Sequence, residues 1–106
     1  MAEKTNALII ALEHRYYGDS LPFRQESFET SNMKYLSSKQ ALRDIAFFIE
    51  QVKRNKWYNI SDQNKWITVG GSYSGALSAW FRAKYPHLTV GAIASSGVIL
   101  AVEDFR

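Results

Sequence analysis

The chain has 106 residues, of which 46% are hydrophobic and 14% aromatic; this suits one small folded domain and excludes a disordered chain. It contains no cysteine, which excludes disulfides and cysteine-based metal sites. The formal net charge is +3, but the basic residues are scattered singly, so no nucleic-acid-binding face is predicted.

The first apolar segment, residues 7–12, is a continuous run typical of a strand buried on both faces of a parallel sheet. The charged residues Glu13, His14 and Arg15 end it. The run is too short to span a membrane or to form the core of a signal peptide. Residues 16–34 are predicted to form a loop and then an irregular connection.

A helix is predicted to begin at Ser37 or Ser38 and to end near Lys56. Its apolar residues recur three or four positions apart and so form one face that can pack on a sheet: Ala41, Leu42, Ile45, Ala46, Phe48, Ile49 and Val52. The polar loop that follows contains the sequon Asn59-Ile60-Ser61, which predicts N-glycosylation of Asn59 and a secretory route.

The central stretch is residues 67–77, where a β-branched run ends in two glycines and a serine precedes a helical pattern. This is the layout of a nucleophile elbow, a strained strand-to-helix turn that projects the serine hydroxyl clear of the sheet. The residues two before and two after the serine must be small. Gly70 fits the G-x-S-x-G pattern, and Ser74 departs from it but is still small.

Two interpretations of Ser72 follow from this spacing. In the first, Ser72 is a catalytic nucleophile, and the Tyr73 backbone N–H, at a helix N-terminus, forms part of an oxyanion hole. In the second, Ser72 is only the N-cap of the helix. The surrounding elements favour the first interpretation.

The helix after the elbow is predicted to end at Tyr85, because the residue before Pro86 is pushed out of the helical region. Residues 89–94 are predicted to form a third strand, and residues 98–102 another short element. Strand, helix, strand, helix, strand is the order of a parallel α/β sheet. Three strands are too few for a complete domain, so residues 1–106 are expected to be a partial α/β-hydrolase core from a longer enzyme.

Several blocks resemble one family of serine exopeptidases, which contains lysosomal Pro-Xaa carboxypeptidase, dipeptidyl peptidase II and thymus-specific serine peptidase. Residues 13–22 resemble its E-H-R-[YF]-[YF]-G-x-S signature, and residues 35–42 its Y-L-[ST]-x-x-Q-A-L helix start. Residues 70–75 resemble its G-G-S-Y-x-G elbow, and residues 79–87 and 94–96 match the helix and strand end that follow. The sequon and residues 74–80 resemble the thymus-specific branch most.

The resemblance implies an α/β-hydrolase core with a helical cap, which hydrolyses peptide bonds at a chain end, often next to proline. It implies a peptide substrate, no cofactor and no metal. It also implies a triad in the order Ser, Asp, His, with both partners downstream of residue 106. A lysosomal or secreted enzyme is expected, with its signal peptide upstream of Met1.

Other residues within the chain have weaker claims to the site. His14 follows the first predicted strand and is interpreted as orienting a loop by hydrogen bonds, while His87 lies at the far end of the elbow helix. The remaining acidic residues considered are interpreted as structural: Asp19, Asp44, Asp62 and Asp104. Tyr16 and Tyr17 either line the substrate pocket or serve as packing groups.

Two other functions stay open. An esterase or lipase on the same core would have a similar elbow, although residues 13–22 argue against it. The second open function is that of a truncated, non-catalytic paralogue. It stays open because only one residue of a catalytic triad is identified in the chain. The isolated chain is expected to be inactive and to fold poorly.

Overall fold

The computed structural model describes residues 2–103, and the chain divides into two compact units, Met1–Ser37 and Ser38–Arg106. The first unit contains a short helix α1 (Ala2–Thr5) and two 3-10 helices, Arg24–Phe28 and Thr30–Tyr35. The second contains α2 (Ser38–Arg54), a 3-10 turn (Trp57–Asn59), β1 (Ile67–Gly71), α3 (Tyr73–Lys84) and β2 (Gly91–Ser95).

The strand predicted over residues 7–12 is wrong. These residues have no regular secondary structure, and the side chain of Ile9 is 72% exposed. A strand needs a neighbouring strand for its backbone hydrogen bonds, and within residues 2–103 only β1 and β2 pair. The irregular connection predicted further along contains the two 3-10 helices of the first unit.

The first unit is held by hydrogen bonds across a turn. The Tyr16 N–H donates to the Ser20 carbonyl at 2.8 Å, and the Ser20 hydroxyl donates to the Glu13 carboxylate at 2.6 Å. Gly18 lies inside this turn with a φ of +55°, and a Cβ there would collide with the Glu13 carboxylate. The positive φ favours glycine at that position, whereas the Glu13 carboxylate lies at the end of a flexible side chain that can move.

The second unit confirms the parallel α/β arrangement in its coarse form. β1 and β2 pair in parallel, from Ile67 opposite Gly91 to Gly71 opposite Ser95. Helix α3 connects them and contacts both strands, and α2 contacts α3. The sheet is small, with two strands in the part of the chain that the structure describes.

The predicted apolar faces of the helices form the core of this unit. The cluster joins α2, α3 and the turn after α3, and consists of Ala41, Leu42, Ala46, Ile49, Leu77, Phe81 and Leu88. Trp66 and Trp80 pack against it, partly buried. The helix predicted from Ser37 or Ser38 is confirmed, because its three- and four-residue spacing buries one continuous face.

The strand boundaries differ slightly from those predicted. β2 begins two residues later than the predicted start at Thr89, because the Thr89 carbonyl accepts a hydrogen bond from Arg82 at 2.6 Å. The Val90 N–H donates to the Trp66 carbonyl at 2.8 Å, immediately before the first paired residues of β1 and β2. The short element predicted at residues 98–102 has no helix or strand. No helix within residues 2–103 is long and apolar enough to cross a membrane.

Candidate active site

Ser72 joins β1 to α3 with a φ of 56° and a ψ of −123°. This region is disfavoured for any residue with a Cβ, and such a conformation typically costs on the order of 1–3 kcal/mol. An N-cap residue would have an extended backbone and a side chain bonded to the helix N–H groups. Ser72 makes no side-chain capping hydrogen bond. The N-cap interpretation therefore does not explain the geometry.

Two backbone hydrogen bonds hold Ser72 in this conformation. Its N–H donates to the Ser95 carbonyl at the end of β2 at 2.9 Å, and its own carbonyl accepts from the Ala76 N–H at 3.0 Å. The first bond ties the turn to the sheet, and the second ties it to α3. The residue is thus fixed between a strand end and a helix start.

Gly70 allows β1 and α3 to approach closely at the elbow. A Cβ on Gly70 would collide with the Ser74 carbonyl and would lie 2.8 Å from the Gly75 nitrogen. Any side chain at position 70 would push the first turn of the helix away from the strand. The structure gives this physical reason for the small residue that the elbow pattern requires before the serine.

Ser74 has a role at the elbow that the sequence pattern did not predict. Its hydroxyl accepts a hydrogen bond from the Gly71 N–H at 3.1 Å and donates to the Gly71 carbonyl at 2.8 Å. The sequence pattern marked Ser74 only as a small residue that departs from the usual glycine. That departure was the signal, since it adds a hydroxyl beside the backbone of the turn.

The elbow is open to solvent. Ser72 and Ser74 are exposed, and the Tyr73 side chain is 47% exposed. Tyr73 is the first residue of α3, so its N–H lies at the positive end of the helix dipole. The Tyr73 hydroxyl lies 3.3 Å from the Ser38 Oγ, at the start of α2. The elbow therefore combines an exposed serine with a helix N-terminus that favours negative charge.

The other polar residues of the second unit that were candidates for the site lie away from the elbow or make local contacts. His87 follows the far end of α3, whose 12 residues correspond to a length of about 18 Å. Asp44 accepts a hydrogen bond from the Gln40 side chain at 3.2 Å within α2. Asp62 is exposed in a turn, and Asp104 lies outside the described residues.

His14 and Tyr17 make local contacts in the first unit. The His14 Nδ1–H donates to the Arg15 carbonyl at 2.7 Å, and its ring meets the Tyr17 ring edge-on at 5.3 Å. These contacts fit the interpretation of His14 as a residue that orients the loop. Tyr17 is 60% exposed.

Tyr16 is in a different setting from its neighbour. It is 2% exposed, and its hydroxyl donates to the Asn32 carbonyl at 2.6 Å and accepts from the Tyr35 N–H at 3.2 Å. Those bonds fasten the loop to the second 3-10 helix of its unit. A role of Tyr16 and Tyr17 in substrate binding stays a prediction.

Within residues 2–103, no three His, Cys, Asp or Glu side chains come together as a metal site. The described residues of the elbow offer a serine hydroxyl, backbone amides and a helix N-terminus.

Comparison with known proteins supplies the family. The sequence profile of the serine carboxypeptidase S28 family matches residues 1–106. The chain is 54% identical over 110 residues to "Probable serine protease EDA2" of Arabidopsis thaliana, a match that covers 99% of this chain and 22% of that protein. It is 47% identical over 105 residues to the human lysosomal Pro-X carboxypeptidase, which covers 98% of this chain and 21% of that protein.

The human thymus-specific serine protease is 42% identical over 105 residues, covering 99% of this chain and 20% of that protein. Of these three relatives it is the least similar, so the comparisons do not favour the expected closeness to the thymus-specific branch. The chain spans about a fifth of the length of each of these relatives.

Proposed function

The chain belongs to the serine carboxypeptidase S28 family, and from this premise we propose that it carries the nucleophile of a serine exopeptidase. The observation that supports this most strongly is the strained, exposed Ser72 between β1 and α3. Backbone strain of this kind persists only where the surrounding structure enforces it, and it concentrates at functional sites. The proposed fold of the whole protein is an α/β-hydrolase core with a helical cap.

In the proposed reaction, the Ser72 Oγ attacks the carbonyl carbon of the scissile peptide bond. A histidine takes the serine proton and delivers it to the leaving amine, as in other serine hydrolases. The Tyr73 N–H donates to the carbonyl oxygen as negative charge develops there. Water then hydrolyses the acyl-enzyme. We propose that the histidine and its acidic partner lie outside residues 1–106, and the proposed reaction needs neither a cofactor nor a metal.

The proposed substrates are peptides with proline beside the cleaved bond. One relative is named a lysosomal Pro-X carboxypeptidase. Residues 13–22 resemble the signature of the exopeptidase family that contains such carboxypeptidases. The exposed ring of Tyr17 is the better candidate for contact with substrate, and the buried Tyr16 is proposed to shape the loop that carries it. Carboxypeptidase and dipeptidyl peptidase activities are distinguished by which end of a test peptide is released.

The proposed location is the lysosome or the extracellular space, with a glycan on Asn59. The relative named lysosomal supports this route, and Asn59 is exposed at the end of a 3-10 turn where a glycan has room.

The test of this function uses the protein from the longest reading frame that contains residues 1–106. Ser72→Ala should lower hydrolysis of proline-containing peptides on the order of a million-fold and abolish labelling by a fluorophosphonate. Ser31→Ala, at an exposed serine of the first unit, is the matched control and should leave both unchanged. Normal labelling of Ser72→Ala would contradict the assignment, and cleavage of esters without cleavage of peptides would favour an esterase.

A further inference from the structure

The Ser74 hydroxyl and the Ser95 carbonyl hold the same peptide group. The Gly71 carbonyl, which accepts from the Ser74 hydroxyl at 2.8 Å, belongs to the peptide that links Gly71 to Ser72. The N–H of that peptide is the Ser72 N–H, which donates to the Ser95 carbonyl at 2.9 Å. Both polar atoms of the peptide are therefore bonded, one from each side.

The orientation of this peptide determines where Ser72 points. Its rotation changes the φ of Ser72 and with it the direction of the Cα–Cβ bond that carries the hydroxyl. Because Ser72 is held at a φ of 56°, relaxation towards a common conformation would turn the hydroxyl away. A bond that resists this rotation keeps the hydroxyl in the position needed for attack.

Ser74 also bonds the preceding peptide, because its Oγ accepts from the Gly71 N–H at 3.1 Å. Two successive peptides of the turn are thus tied to one side chain. Ser74 is exposed, so its replacement removes little buried surface. Its hydroxyl proton is directed at a carbonyl oxygen of its own turn, which distinguishes it from a nucleophile.

We propose that Ser74 is a positioning residue whose hydroxyl locks the Gly71–Ser72 peptide and so aims the Ser72 nucleophile. This inference rests on the proposed function, in which Ser72 attacks the substrate. A glycine at this position, as in the usual pattern, offers no such lock. The serine therefore contributes orientation in addition to small size.

The test compares Ser74→Val with Ser74→Thr in the protein from the longest reading frame. The two side chains have nearly the same shape, but only threonine keeps the hydroxyl. Peptide hydrolysis and the rate of inactivation by a fluorophosphonate are measured, and kcat is expressed per fluorophosphonate-titrated site. Misfolded molecules then do not contribute. Thr68→Val is the matched control, because it removes a 3.3 Å hydroxyl bond to the Ser78 carbonyl without touching the Gly71–Ser72 peptide.

Ser74→Val is expected to lower kcat and the inactivation rate on the order of 10-fold, with KM within about twofold of wild type. Ser74→Thr should restore both rates to within about threefold of wild type, because the hydroxyl returns. The thermal midpoint of Ser74→Val should fall no further than that of Thr68→Val.

Rates in Ser74→Val that equal those of Thr68→Val would overturn the inference while leaving Ser72 as the nucleophile. A Ser74→Val protein as inactive as Ser72→Ala would also overturn it, because that loss would place Ser74 in the chemistry itself. Retained turnover in Ser72→Ala would overturn the proposed function and this inference together.

Discussion

Ser72 adopts a backbone conformation that glycine can adopt freely and serine adopts at a cost. Its φ of 56° and ψ of −123° are imposed by bonds to Ser95 and Ala76. An ordinary turn at this point would be served better by glycine. A serine is expected at such a position only where its hydroxyl is required. This requirement connects the backbone strain at Ser72 with its proposed catalytic role.

This strain predicts an unusual order of stabilities. Ser72→Gly should be more stable to unfolding than Ser72→Ala by about 1 kcal/mol, because only glycine relieves the strain. Thermal and urea unfolding of the two inactive variants provide the measurement. The control pair is Ser31→Gly and Ser31→Ala, in a 3-10 helix without positive φ at that position, where alanine should be the more stable. Equal stabilities of the two Ser72 variants would contradict the strain.

Asn59 provides a prediction about the route of the protein. The surrounding turn is less polar than expected, since Trp57 and Tyr58 are exposed beside it, but Asn59 is itself exposed. With its native leader in a eukaryotic host, the protein should shift in gel mobility on glycosidase treatment, and Asn59→Gln should remove one glycan. Asn64→Gln, which lies outside any sequon, should leave the pattern unchanged. Absence of a glycan on Asn59 would refute the proposed modification.

At the scale of elements, the elbow depends on how closely α3 approaches β1. Gly70 lies against the backbone of Ser74, whereas a Cβ on the adjacent Gly71 would meet only the Ser95 carbonyl, at 3.9 Å. Neither glycine has a positive φ. The two positions therefore differ in available space and not in backbone conformation.

Gly70→Ala and Gly71→Ala should consequently differ in their effect on stability and on fluorophosphonate labelling. Gly70→Ala should destabilise the protein by about 1–3 kcal/mol and impair fluorophosphonate labelling, because the clash is with backbone atoms that cannot rotate away. Gly71→Ala should fall within about 0.5 kcal/mol of wild type, since 3.9 Å is an ordinary contact. Unfolding and labelling are measured on both. Equal effects of the two substitutions would contradict the packing described at the elbow.

At the scale of the whole molecule, much apolar surface of the described chain faces solvent. In the sheet, Val69 and Ile93 are opposite each other in the register, and the Val69 side chain is 62% exposed. Thr68 and Gly70, on the alternate positions of β1, are half-buried. Parallel sheets are normally covered on both faces, and an uncovered apolar face with unpaired edges promotes association.

Residues 1–106 expressed alone should therefore form soluble aggregates or inclusion bodies and show no peptidase activity. Val69→Lys should increase the monomeric fraction, because it places a charge on the exposed face, whereas the control Lys65→Arg should not. Size-exclusion chromatography and thermal unfolding are the measurements. A monomeric, cooperatively unfolding wild-type chain would contradict the folding prediction. Serine-dependent turnover by this chain would contradict the catalytic one and would make His14 and His87 candidate bases.

The sequence by itself determined α2, α3 and the type of turn between β1 and α3. The spacing of apolar residues located α2 and its buried face, and Pro86 located the end of α3 after Lys84. The two glycines before Ser72 identified the elbow. These signals are local: helical periodicity and proline geometry need only a few neighbouring residues.

Only the tertiary structure decided which apolar run is a strand and which groups hold Ser72 in its conformation. Residues 7–12 are apolar enough for a buried strand, yet a strand requires a partner, and within residues 2–103 none pairs with them. The strain at Ser72 depends on the Ser95 carbonyl, and the Ser74 hydroxyl acts on the Gly71 backbone. Backbone groups are common to every residue type, so a bond between two distant ones leaves no pattern in the sequence.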